Sequence, residues 1–152
     1  MRPVIQEERT GCGIAAVAGV AGVSYAKVRR VAATVGIHAY DPALWSDTKP
    51  VRRLLALFGV KAAAATRPFR SWESLPPAAL LAIKWRRRNG KSCWHWVVFV
   101  RGNGGGCVLD SKRSLKRHRR TDFGRMKPKW FLSLSLPDRR DDGRLSARRR
   151  LS

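Results

Sequence analysis

The sequence predicts an α+β fold, with N-terminal helices packed on a C-terminal antiparallel sheet. Three observations predict it. Residues 12–58 repeat their apolar side chains at helical spacing. Residues 80–136 break into short runs rich in β-branched and aromatic residues. Glycine-bearing turns separate those later runs.

The elements follow in order. Residues 12–22, CGIAAVAGVAG, carry almost no polar surface and predict a central, buried helix. Ser24 is a suitable N-cap for a second helix, in which Tyr25, Val28, Val31, Ala32 and Val35 share a face and Gly36 supplies the stop. A third helix starts at Ser46, Asp47 or Thr48, carries Pro50 in its first turn and ends at Gly59. LLAIKW (80–85), WHWVVFVR (94–101) and CVLD (107–110) read as strands, joined by RRRNGKS and GNGGG as turns. KWFLSLSL (129–136) alternates cleanly, as a half-buried strand does. The domain is expected to span 1–136, and the charged stretch 137–152, poor in large apolar residues, to be a disordered basic tail.

Composition limits the class. The chain has 152 residues, enough for one domain with its own core, and its 44% hydrophobic content excludes a disordered composition. The net charge is +22, from 32 Lys and Arg against 10 Asp and Glu. That excess attracts nucleic acid, anionic membranes or acidic proteins, and is silent on chemistry. Three cysteines, at 12, 93 and 107, are too few and odd in number for a disulfide framework and suit a reducing compartment. The run Gly13–Val23 is too short to span a bilayer, and Glu7 and Glu8 spoil the positive segment that a signal peptide needs. The expectation is a protein cytoplasmic as made, without a transmembrane helix, and open to later delivery into another cell.

One constellation carries chemistry. Cys12 stands between Gly11 and Gly13 at the start of the first helix, where unpaired N–H groups and the helix dipole favour a thiolate. The two glycines leave room for a substrate backbone. His95, in the strand WHWVVFV, is the proton carrier that such a nucleophile needs, and Asp110, ending the next strand, can orient it. Gln6 and the Cys12 N–H can donate to the oxyanion of a tetrahedral intermediate.

These residues resemble the papain-like cysteine peptidases, and most closely their C39-type, bacteriocin-processing branch. The resemblance rests on a Gln six residues before Cys-Gly, a His leading a hydrophobic strand, and an Asp fifteen positions on: Gln6, Cys12-Gly13, His95 with WVVFV, and Asp110. It covers about residues 3–136. It implies a cysteine peptidase with Cys12 as nucleophile, His95 as general base, Asp110 as orienter and Gln6 as oxyanion donor, on a helix packed against an antiparallel sheet. It implies no cofactor. The chain departs from the family in reading Gly-Cys-Gly where Asp-Cys-Gly is usual, and in lacking the transporter segments of bacteriocin exporters. Cleavage after a double glycine is therefore not carried over. Free-standing papain-like domains also act as antibacterial toxins, deamidases and acyl transferases, so a toxin with an inhibitor or immunity partner is one expectation.

Each residue also has a plain structural reading. Cys12 alone passes as a small core residue, His95 as a sheet histidine, Asp110 as a turn cap and Gln6 as a surface residue. The joint spacing favours the catalytic reading. Cys93 and His95 form C-x-H, yet Cys107, His38 and His118 offer no second ligand pair, so no metal is expected. Alternation sets Cys93 on the His95 side of its strand, as a second thiol near the site or as core, and Cys107 reads as core. Trp45 and Trp94 are candidate walls of a substrate groove; Trp72 and Trp85, like Trp45, read as packing residues or as walls of that groove. The basic stretch 112–129 interleaves cations with Phe123 and, just beyond it, Trp130, a pattern that suits single-stranded nucleic acid. A protein or peptide substrate, acidic or associated with nucleic acid, is thus the expected partner. The alternative is a nucleic-acid-binding or partner-binding protein on a papain-like core.

Overall fold

The computed structural model describes residues 1–136; the expected tail lies outside the described residues. Three helices come first: α1 (Cys12–Ala21), α2 (Tyr25–Thr34) and α3 (Lys49–Leu57). A 3-10 turn, Pro42–Trp45, precedes α3. The strands are β1 (Lys61–Ala62), β2 (Arg67–Pro68), β3 (Ala78–Arg88), β4 (Lys91–Gly102), β5 (Gly105–Leu109), β6 (Arg119–Arg120) and β7 (Trp130–Ser135), with a short helix α4 (Phe123–Met126) before the last. All pairings are antiparallel, in the order β1-β7-β3-β4-β5-β6, with β2 also on β7. The α+β class is as the sequence predicts.

Local chemistry explains the boundaries. The Ser24 side chain accepts from Lys27 N and opens α2. Gly22 (φ 70°) follows α1 in the left-handed conformation, where a Cβ is costly. Thr48 is the N-cap of α3 without a side-chain bond, and the neighbouring Asp47 accepts from Lys49 N instead. Between β3 and β4 only Asn89 (φ 50°) and Gly90 (φ 77°) turn, because both centre positions of this two-residue hairpin need positive φ. The arginines 86–88, expected in that turn, belong to the strand.

The helix α1 is buried from Cys12 to Val20. With α2, α3 and the inner face of the sheet (Leu80, Ala82, Trp96, Val98, Leu132) it forms the larger core. A second core, with Leu81, Ile83, Val97, Phe99, Val108 and Met126, covers the other face. A sheet buried on both sides explains why LLAI and WVVFV run apolar without alternation. Trp96 is fully buried and its indole N–H donates to the Leu44 carbonyl at 2.9 Å, which ties the 3-10 turn to the sheet. Each such buried aromatic contributes about 1.5–3 kcal/mol through apolar burial.

Candidate active site

Cys12 occupies the first position of α1. Gly11, the N-cap, adds no side-chain bond, and no acidic residue stands in the first turn. The positive end of the helix dipole is therefore left for an anion at Cys12. His95 comes from β4 and Asp110 from the residue after β5; with Val98 opposite Leu109, Asp110 stands just past the paired end of β5, on the diagonal from His95. His95 Nε2 meets Asp110 Oδ1 at 2.7 Å.

Asp110 is almost fully enclosed, at 1% exposure, yet well supplied with donors. Oδ1 also accepts from Lys112 N at 3.1 Å, the turn-capping bond that a plain reading assigned to it, and Oδ2 accepts from Arg120 Nη1 at 2.9 Å. Burial opposes its ionisation. The bond and charge of His95, the Lys112 amide and Arg120 outweigh that and hold its pKa at about 2. Burial likewise opposes a charged His95. The bonds and negative charges of Asp110 and of the adjacent Cys12 outweigh it, and its pKa rises to about 9.

Gln6 is bolted to the same end of the sheet. Its backbone N–H donates to the Ser111 carbonyl at 3.0 Å, and its Oε1 accepts from Ser111 Oγ at 2.8 Å. Both Nε2 bonds, to the carbonyls of Glu8 and Arg9 at 3.0 Å, fold the loop that leads to Cys12. Gln6 is thus buried, not a surface residue, and its amide is engaged within its own loop.

Several expectations change. Cys12, placed by the sequence at the mouth of a helix, has 0% exposure. The space beside Gly11 and Gly13, read as room for a substrate, is filled by this chain. A Cβ on Gly11 would meet the Tyr25 hydroxyl at 2.1 Å, and one on Gly13 would meet Val51 Cγ2 at 2.8 Å. Trp94 is core rather than groove wall: it is 5% exposed and packs edge-on against Trp96 and Trp130. Cys107 is half-buried, packed against the larger core with Arg119 beside it. Cys93 is buried. Trp72 packs in the second core among Phe69, Phe99 and Phe123, whereas Trp85 is exposed. Trp45 is half-buried, with the guanidinium groups of Arg9 and Arg86 at 6.0 and 5.5 Å from its ring. Among the described residues no three His, Cys, Asp or Glu side chains cluster as a metal site requires, and no helix is long and apolar enough to cross a membrane.

Sequence reasoning missed Arg120. It is one of nine Lys and Arg in residues 112–129, and only the β5–β6 pairing, Val108 opposite Arg120, sets it against Asp110. Asp122 two residues on was the available signal: it takes Arg120 Nε and Nη2 at 3.0 and 2.8 Å and so aims the remaining Nη1 at Asp110.

No protein-family model and no curated protein matches the chain. Among solved structures it is similar to the crystal structure of the peptidase domain of Streptococcus ComA, a bi-functional ABC transporter involved in a quorum-sensing pathway. The TM-score is 0.55 at 16% identity, over 90% of this chain and 98% of that one. The chain has the papain-like fold of that peptidase domain. At this identity the likeness establishes the fold and leaves the chemistry to the residues.

Proposed function

We propose that the chain is a cysteine peptidase in which Cys12, His95 and Asp110 form the catalytic triad. The observation that carries the reading is the His95–Asp110 bond of 2.7 Å beside the thiol of a residue at a helix N-terminus. With Nε2 held by Asp110, Nδ1 is the nitrogen left to take the Cys12 proton. The thiolate attacks the amide carbonyl, the imidazolium then protonates the leaving amine, and water releases the acyl group. The Cys12 N–H and a Gln6 amide N–H receive the oxyanion, Gln6 giving up one of its loop bonds in exchange. Substrate entry requires the groups that enclose Cys12 to move.

The test is the pH profile of iodoacetamide alkylation, read by mass spectrometry at each cysteine. Because Cys12 is enclosed, the profile rather than the absolute rate is the readout. The expected result is a Cys12 alkylation profile that follows the thiolate–imidazole pair and changes in His95→Ala. A Cys12 profile indifferent to His95→Ala would overturn the triad. Cleavage of a peptide library by wild type and not by Cys12→Ala then separates peptidase from deamidase or transferase chemistry.

A further inference from the structure

We infer that the cavity between the β3 bulge and the turn at 125–129 is an anion subsite, which seats an acidic side chain of the peptide substrate; the word substrate rests on the peptidase reading. The cavity measures about 350 Å³. Its polar lining is four cations, Lys84, Arg125, Lys127 and Lys129, with Trp85 as a wall. No carboxylate lines it, and among the described residues none of the four forms an ion pair. Asp122 lies in the field of Arg125, but both its oxygens are committed to Arg120.

The backbone is bent to build this arrangement. Ladder register breaks between Ile83 and Arg86, and Lys84 sits in that break at φ 52°. Lys127, after α4, has φ 41°. These are two of the three non-glycine residues with positive φ among those described, and both line the same cavity. Side-chain-bearing residues adopt this region at a cost, and proteins concentrate such strain at working sites. Like charge is crowded here as well: partial burial and the neighbouring Lys112 both lower the pKa of Lys84. An arriving carboxylate would relieve that repulsion.

Lys84 follows Ile83, the β3 residue paired with His95, and lies in the fields of Asp110 and Arg120. The cavity is large enough for a carboxylate side chain with part of its backbone. A nucleobase would need an open aromatic face, and Lys129 Nζ stands 4.6 Å above the Trp85 ring. These points favour an acidic peptide over a nucleic acid.

The experiment measures binding of fluorescein-labelled hexaglutamate to the full chain by anisotropy, at about 0.15 M salt, where long-range fields are screened. The variant is Lys84→Gly with Lys127→Gly. Glycine accepts positive φ without strain, so these changes remove cations while relaxing the backbone. The control, Lys27→Gln with Arg30→Gln, removes the same charge from exposed positions on α2. The expected result is about a tenfold loss in the cavity variant and about twofold or less in the control. Equal losses would reduce the effect to net charge and overturn the subsite. A six-nucleotide thymidine strand that binds more tightly than hexaglutamate, and loses affinity in the cavity variant alone, would overturn the peptide assignment. The two readings fail separately: Cys12 alkylation that ignores His95→Ala overturns the peptidase, and hexaglutamate binding does not depend on it.

Discussion

Arg120 Nη1 donates to Asp110 Oδ2 at 2.9 Å, on the oxygen opposite the one that meets His95. The guanidinium is itself forked onto Asp122. A three-member chain thus runs from the exposed Asp122 inward to the imidazole, and it fixes the Asp110 carboxylate in rotation as well as charge. We expect Arg120→Gln to slow Cys12 alkylation at neutral pH by about tenfold, and to do nothing further in an Asp110→Asn background. Additive losses in that cycle would show that Arg120 supports the fold and not Asp110.

The pH dependence of stability follows from the two shifted groups. His95 has its folded pKa raised from 6.5 to about 9, so its contribution is complete below pH 6.5 and is lost as pH rises through 9. Asp110 has its folded pKa lowered from 3.8 to about 2, so its contribution is complete above pH 3.8 and is lost as pH falls through 2. Both are present together between pH 3.8 and 6.5. Urea midpoints should fall from pH 6 to pH 10, and His95→Ala should flatten that decline. An equally steep decline in the variant would assign it to other groups.

Gln6 has two candidate duties, and one substitution separates them. Gln6→Glu keeps an acceptor for Ser111 but has no N–H to donate. If Gln6 serves the oxyanion, turnover of a cleavable library peptide should drop by about 10²–10³. Alkylation of Cys12, which forms no oxyanion, should change little. If both fall together, Gln6 acts by folding the loop that carries Cys12.

Gly13 is a packing residue. Its Cβ would lie 2.8 Å from Val51 Cγ2 and 3.4 Å from Trp96 Cδ1, all within the larger core. Gly13→Ala should destabilise by about 1–3 kcal/mol through overpacking. Gly13→Ala with Val51→Ala should recover part of that loss, as read by urea unfolding. No recovery would place the conflict elsewhere.

The sequence by itself determined the helix-then-sheet order and the residues that could do chemistry. Helical and alternating periods are local properties, and so are the Ser24 cap, the Gly36 and Gly59 stops and the Asn89-Gly90 turn. Gln6 with Cys12-Gly13 is a local motif, and His95 and Asp110 were joined to it through the family resemblance. The short strands β1, β2 and β6 were not legible, because two-residue strands carry no period and exist only through their partners. Nor was the enclosure of Cys12, the packing of Tyr25 and Val51 against the flanking glycines, or the placement of Trp94 in the core, since each depends on residues far along the chain. Arg120 was invisible for the same reason: among many identical cations, only pairing across β5 and β6 selects the one that touches Asp110. Composition supplied the positive charge, and tertiary structure alone decided where it gathers without a counterion.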